Sequence, residues 1–380
     1  MAQDVERATP LTTRTATATT TAPAARPGAT VHTLALDANP TRITLRTPNA
    51  PADAVLGQLC EAAGIVYRSE PQSMWPEGSP TIQAIDFRDE PFWSALLSVC
   101  RQTGTRPVER GFDPREAPTI TVTRSGAATP IAVDGPLLFR IQQIERRASI
   151  QYGGADDDEA RTPDSLAVTL QIQPEPRLRM YAIGSSLQVE RADDETGKSL
   201  LPTVKFPMSP RGELLGNTTN MLRLDYPRGA GKRLAVFRGR IDLYVPQRII
   251  VADIPNPLDE KQAEAGVPIE GGTITVKPIG TGRDASLEVT VRRGESTDEQ
   301  TWVDMSAGMN MFPNRLTLQG PNGEYVPWGS ISGSSYSGEF LRVRRSLGAT
   351  SQRAASLRIE IPVNYKMVPT TFEFRDVPLP

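Results

Sequence analysis

The spacing of apolar residues changes character along this chain. Between about 33 and 125, short period-two runs alternate with runs of helical period; from about 134 only period two remains. "RITLR" (42–46) reads as a strand. Val55, Leu56, Leu59, Cys60 and Ala63 follow at helical spacing. Pro51 suits a first helical turn, Asn49 stands upstream as a cap, and Gly64 sits where a C-terminal cap belongs. "IVYRS" (65–69) reads as the next strand.

The pattern then restarts. "IQAIDF" (82–87) is a strand, Asp89 precedes Pro91, and Phe92, Leu96, Val99 and Cys100 make an apolar helical face before Gly104. At a shift of forty, Leu45 matches Ile85, Asn49 matches Asp89 and Pro51 matches Pro91. Leu56 likewise matches Leu96, Cys60 matches Cys100 and Gly64 matches Gly104. Cap, first turn, buried face and stop signal all agree, so the spacing predicts a duplicated strand–helix unit. "RPVER" (106–110) and "TITVTR" (119–124) read as closing strands.

After about 134 the helical signals vanish. "LAVTLQI" (166–172), "LRLDY" (222–226), "LAVF" (234–237) and "RIDLYV" (240–245) alternate apolar and polar residues. The apolar parity switches between Val236 and Ile241, which predicts a bulge or bend near Gly239. A second set begins near 266, with "GTITVKP" (272–278), "ASLEVTVRR" (285–293), "RLTLQG" (315–320), "EFLRVRR" (339–345), "ASLRIEIPVNY" (355–365) and "TFEFRDVP" (371–378). The two sets echo one another, and each has the length of an immunoglobulin-like sandwich.

The expected fold class is therefore multidomain: an α+β domain with a duplicated strand–helix unit, followed by two all-β, immunoglobulin-like β-sandwiches. Residues 8–31 are almost all Thr, Ala, Pro and Arg and cannot bury enough apolar surface to offset ordering. The expected boundaries are a disordered tether over 1–32, the duplicated domain over 33–125, and sandwiches over 134–257 and 266–380. The polar stretch "LDEKQAEAG" (258–266) connects the last two.

Composition sharpens this picture only in places. The 34 prolines and 30 glycines suit many short strands joined by turns. A net charge of −2 argues against a surface built for nucleic acid. No apolar run approaches the ~20 residues of a membrane span, so no transmembrane segment is expected. Met1 leads straight into "AQDVERATP", which reads as a mature sequence whose export signal was replaced by a start methionine.

The duplicated region resembles the short N-terminal (STN) domain of secretins and TonB-dependent receptors. The residues that carry the resemblance are Ala52, Leu56, Cys60 and Gly64, then Phe92, Leu96, Cys100 and Gly104. It implies a periplasmic or cell-envelope domain used for contacts with a protein partner, and it implies no chemistry. The β-rich half resembles uncharacterised bacterial envelope proteins.

Candidate chemistry is sparse. The single histidine, His32, borders the tether, where no packing would hold an imidazole in a catalytic site. Cys60 and Cys100 lack the second pair that a zinc site needs. They read as small buried apolar residues, with a disulfide as the alternative. "ADDDEA" (155–160), with Asp156 to Glu159, reads as a solvated loop, with calcium binding as the alternative. Asp193, Asp194 and Glu195 precede Thr196-Gly197, which is turn chemistry. Asp242, Glu288 and Glu360 alternate with apolar neighbours and should face solvent.

Trp302, Tyr325, Trp328 and Tyr336 fall in or beside loops of the last unit, as candidate contacts for a sugar or a protein partner. Their alternative role is to cover the ends of the core. Arg342, Arg344, Arg345 and Arg353 read as a solvated basic edge. The expected function is a non-enzymatic cell-envelope interaction protein without cofactor or metal. Its STN-like domain would bind a partner, and its sandwiches would act as spacer or assembly surface, including for self-association. The alternative is a carbohydrate-binding module that uses the loop aromatics.

Overall fold

The computed structural model describes residues 25–35, 39–71, 74–108, 118–124, 129–150, 161–178, 181–183, 187–202, 213–214, 218–311 and 315–380. The acidic stretch 155–160 and residues 1–24 of the expected tether lie outside the described residues. The fold begins earlier than composition suggests. β1 (Thr30–Ala35) pairs antiparallel with residues 248–253, which puts His32 opposite Val251. Arg26, only 4% exposed, donates to the carbonyls of Asn256 (2.7 Å) and Val276 (3.3 Å). Backbone pairing and one arginine order this polar segment, and neither is visible as hydrophobic patterning.

The first domain contains β2 (Arg42–Thr47), β3 (Ala50–Pro51), α1 (Ala52–Ala62), β4 (Val66–Glu70), β5 (Thr81–Ile82), β6 (Ile85–Pro91), α2 (Phe92–Thr103), β7 (Thr105–Val108) and β8 (Thr119–Arg124). β2 pairs with β6 and β3 with β5, while β8 lies between β4 and β7. α1 and α2 start alike: Pro51 has φ −60° and ψ 139°, and Pro91 has φ −57° and ψ 140°. Both end at a left-handed glycine, Gly64 (φ +66°) and Gly104 (φ +64°), as their spacing predicts. Asn49 does not cap α1; its side-chain oxygen accepts from the Ala84 N–H at 2.7 Å. Pro51 occupies the cap position, and the Ala52 and Asp53 N–H groups donate to Pro80 O and Ser79 Oγ, both at 2.9 Å.

The rest is β-rich. A first lobe contains β9 (Ile131–Asp134), β10 (Leu137–Ile150), β11 (Arg161–Pro174), β12 (Tyr181–Ile183), β13 (Gln188–Asp194), β14 (Glu213–Leu214), β15 (Thr218–Asp225) and the long β16 (Arg233–Pro255). A second contains β17 (Val267–Ile269), β18 (Gly272–Ile279), β19 (Ser286–Arg293), α3 (Glu299–Met311), β20 (Leu316–Gln319), β21 (Ile331–Tyr336), β22 (Phe340–Ser346) and the long β23 (Ser356–Pro378). One outer sheet has the order β15-β11-β10-β9, and the other has the order β21-β22-β19-β18-β17. Apart from β21 the two orders correspond strand for strand. Each outer sheet packs its apolar face against a central sheet that both lobes share.

That central sheet revises the expected boundaries. β16 and β23 are each 23 residues long and pair antiparallel from Arg233↔Pro378 to Pro255↔Ser356. Phe372, Phe374 and Val377, at the end of the chain, belong to the first core. Ile250, Ala252 and Ile254, within the expected span of the first sandwich, belong to the second. Each long strand leaves its own core and finishes in the other. Nothing in the alternation of either strand is strong enough to stop it, so the cores are not contiguous in sequence.

Two further expectations change. α3 is a helix in a region that reads as all strand. Asp298 caps it by accepting from the Thr301 N–H (2.9 Å) and hydroxyl (2.6 Å), and Trp302 and Met305 fill the second core. The parity switch of β16 lies between Leu234 and Phe237, both fully buried, while the expected irregularity near Gly239 falls on the partner strand β13, between Val189 and Arg191 opposite Gly239 and Arg238. Gly239 itself serves packing: a Cβ there would stand 2.5 Å from both the Phe372 ring and the Gln188 carbonyl oxygen.

The first domain sits on the first outer sheet. Leu138 points away from its own lobe and joins the core of α1 and α2. Arg140 Nη2 donates to Pro107 O at 2.9 Å, and Trp93 Nε1 donates to Pro136 O at 3.0 Å. Gln173 and Gln171, the register partners of Leu138 and Arg140, are buried on the same face. Glu175, with a fully buried side chain, accepts from the Thr41 N–H (3.0 Å) and hydroxyl (2.5 Å) and pairs with Arg177 (3.3 Å). Burial pushes its carboxyl above the ordinary value, against the pull of Thr41 and Arg177.

Candidate functional site

A concave feature lies at the seam between the first domain and the first lobe. Helix α2 turns Phe92, Leu96, Val99 and Cys100 to its core. Its opposite face presents Ser94, Leu97, Ser98 and Arg101, spaced so that they form one ridge. Phe87 and Glu90 of β6 form one wall, and Ile131 and Val133 of β9 form the other. These residues enclose a groove of about 560 Å³. Its lining is mostly polar: Ser94, Ser98, Glu90 and Arg101 surround the apolar side chains of Phe87, Leu97, Ile131 and Val133, and Glu90 and Arg101 add one charge of each sign. β9 is the last strand of its sheet, and among the described residues it pairs only with β10. The groove therefore has parts that can receive an extended chain: polar groups, a few apolar side chains and a terminal strand.

The cysteines lie on the buried faces of the two helices, Cys60 on α1 and Cys100 on α2. Both are free and buried. Translation-related repeats would keep such residues apart, but α1 and α2 pack on each other and bring the two thiols into each other's field. Burial pushes the Cys60 thiol up to about 12, and Cys100 adds to that shift. Burial raises Cys100 to about 11, against a hydrogen bond from Thr105 and the charge of Arg140. Thiols held this high are protonated at neutral pH and poor nucleophiles. Nearby, Tyr67 donates to Asp53 Oδ1 at 2.8 Å, and burial raises its hydroxyl.

The aromatic candidates do not form one surface. Trp302 is 1% exposed in α3 and donates to Ser337 O at 3.2 Å. Trp328 is 9% exposed in the same core, with Arg345 stacked 4.4 Å from its ring. Tyr325 is half-buried, and Tyr336, on the terminal strand β21, is 48% exposed. The two tryptophans thus cover the end of the core, the second of the two roles open to them. The patch around Arg342, Arg344 and Arg345 divides, since Arg345 turns to Trp328 while Arg342 and Arg344 pair with Glu288 at 3.4 and 3.9 Å.

The acidic turn is structural. Asp194, 1% exposed, accepts from the N–H groups of Gly231 (2.7 Å), Thr196 (2.9 Å) and Lys198 (2.9 Å), and from the Thr196 hydroxyl (2.7 Å). Burial opposes its charge, but these bonds outweigh burial and hold the carboxyl at about 2. Among the described residues no group of three or more His, Cys, Asp or Glu side chains is placed to hold a metal ion. Nor is any helix among them long and apolar enough to cross a membrane.

Sequence reasoning missed the groove because its lining comes from three separated segments. The signal that could have found it is the apolar Leu97 on the otherwise polar face of α2. Comparison of the chain with protein-family models, curated proteins and solved structures gives no match.

Proposed function

We propose that this chain is a non-enzymatic interaction protein of the cell envelope. Its first domain holds a protein partner, and its two lobes, read as repeated immunoglobulin-like sandwiches, form a rigid assembly body. The observation that carries this reading is the groove between α2, β6 and β9. An extended segment of the partner adds to β9 by backbone pairing and places apolar side chains against Leu97, Ile131 and Val133. Glu90 and Arg101 select its register through complementary charges. The resemblance of 33–125 to STN domains supports a partner-binding role and an envelope location.

The test is site-specific photo-cross-linking of the full chain in envelope extracts, with the probe at Leu97 and a control probe at Arg238. A discrete adduct from position 97 alone is expected, abolished when Val133→Arg fills the groove. Equal adducts from both positions, or an adduct that survives Val133→Arg, would overturn the reading.

A further inference from the structure

The sheet β21-β22-β19-β18-β17 turns Ile274, Val276, Leu287, Val289, Leu341 and Val343 into the second core. The alternate residues form its outer face. Lys277 lies opposite Glu288, which lies opposite Arg344, and Arg292 lies opposite Phe340. Arg342, two residues from Arg344, shares that face. Lys277, Arg342 and Arg344 have side chains 53%, 42% and 40% exposed. Arg292 is exposed as well. Four cations thus share the face with one inner carboxylate, Glu288, which is 16% exposed beneath the two arginines. A second carboxylate, Glu264, reaches Lys277 from the rim at 3.7 Å and is itself 93% exposed.

We propose that this face binds an acidic polysaccharide. Charge complementarity selects an anion, and the shape of the face selects an extended one. Arg342 and Arg344 stand about 7 Å apart along one strand and carry planar forks suited to carboxylates. Thr273 and Thr275, half-buried on the same face, offer hydroxyls to sugar oxygens. The half-buried Phe340 ring lies under Arg342 at 5.2 Å. Beyond Arg344 the sheet ends in the Ser/Gly-rich β21, where a Cβ on Gly333 would meet nothing within 4 Å. A polymer can therefore cross the edge without obstruction.

Other occupants fit less well. A docked protein needs an apolar anchor at the centre of its contact, and the Phe340 ring of this face lies under Arg342. Duplex nucleic acid presents a charge about every 1.7 Å and needs many more cations than four.

The test is affinity electrophoresis of the full chain through gels that contain polygalacturonate, neutral dextran or a short DNA duplex. Retardation by polygalacturonate alone is expected. It should weaken as salt rises from about 50 to 200 mM. The double variant Arg342→Gln/Arg344→Gln should bind about tenfold more weakly. Arg238→Gln, where the arginine is paired with Glu190 on the central sheet, should bind unchanged. Thermal unfolding checks that the double variant is folded; if it is not, Arg292→Gln takes its place and is expected to weaken binding about threefold. No retardation by polygalacturonate, full retardation of the folded variant, or stronger retardation by DNA would each overturn the proposal.

Discussion

The two outer sheets correspond in strand order, yet their outer faces have different fates. In the first lobe one end of that face carries Leu138, Arg140, Gln171 and Gln173, all at most 6% exposed, while Met221, Arg223 and Arg147 farther along it stay exposed. In the second, Lys277 and Arg292 stay exposed, and Arg342 and Arg344 partly so, above the buried Thr290 and the half-buried Glu288. The difference is one of side-chain chemistry on a common frame. A leucine, two uncharged amides and one arginine accept a covering domain, because the single cation, Arg140, is met on docking by the Pro107 carbonyl at 2.9 Å. Four cations resist such cover and leave the face available to a hydrated, charged ligand. The covered face also explains where the groove lies, since docking brings α2 beside the terminal strand β9.

Several changes would break or sharpen this comparison. The largest effect is expected at the strands both lobes share. Phe372 is 2% exposed and packs with Phe139, Phe237 and Phe374, so Phe372→Ala should cost about 3–5 kcal/mol. Because β23 runs through both cores, urea unfolding of this variant should still show a single transition. Separate transitions for the two lobes would show that the long strands do not couple them.

Next comes the covered face. Leu138→Ala removes a fully buried side chain from the core of the first domain and should cost about 2–4 kcal/mol. Hydrogen exchange should rise at Gln171 and Gln173 while the second lobe is unaffected; unchanged protection there would separate Leu138 from docking.

Asp194→Ala should cost about 2–3 kcal/mol, since it strands the donors that now serve one carboxylate. The folded carboxyl sits at about 2, below its unfolded value near 4. Its contribution is therefore complete above about pH 4 and is lost as pH falls toward 2. Asp194→Asn should flatten that acid limb in a stability-against-pH series.

Glu175 carries the opposite sign. Its folded value is raised, so the native state holds a proton that the unfolded chain has already released. Stability falls as pH climbs from the unfolded value toward the folded one, and Glu175→Gln should remove that slope. The smallest effect belongs to the open face: Arg342→Gln/Arg344→Gln should change stability by about 1 kcal/mol or less. A larger loss would mean that these arginines hold the sheet together.

The first domain was the most legible part of the chain. Its helices obey local rules, with proline at the start, glycine in the left-handed region at the end, and one buried stripe between them. All of that lies within about a dozen residues. The strands "TITVTR" and "RITLR" were equally readable, because period-two alternation is local too. α3 was missed because its apolar residues, Trp302 and Met305, are few and its flanks are polar. The tryptophans had two readings for a related reason: sequence marks an aromatic beside a turn, and only packing shows the core it covers. The groove and the basic face were out of reach, since each joins residues from separate strands.

By itself the sequence determined the type of most elements, the forty-residue echo of α1 in α2, and the β-rich character of everything after 134. Those depend on contacts between near neighbours and on intrinsic backbone preference. The tertiary structure alone decided that β16 and β23 would cross from one core into the other. It also decided that Arg26 and β1 would close onto the second lobe, and that one end of one outer face would be covered while its counterpart stayed open. Each of these is a choice between distant surfaces of similar chemistry, and it is made by which pair buries more apolar area with fewer unpaired charges.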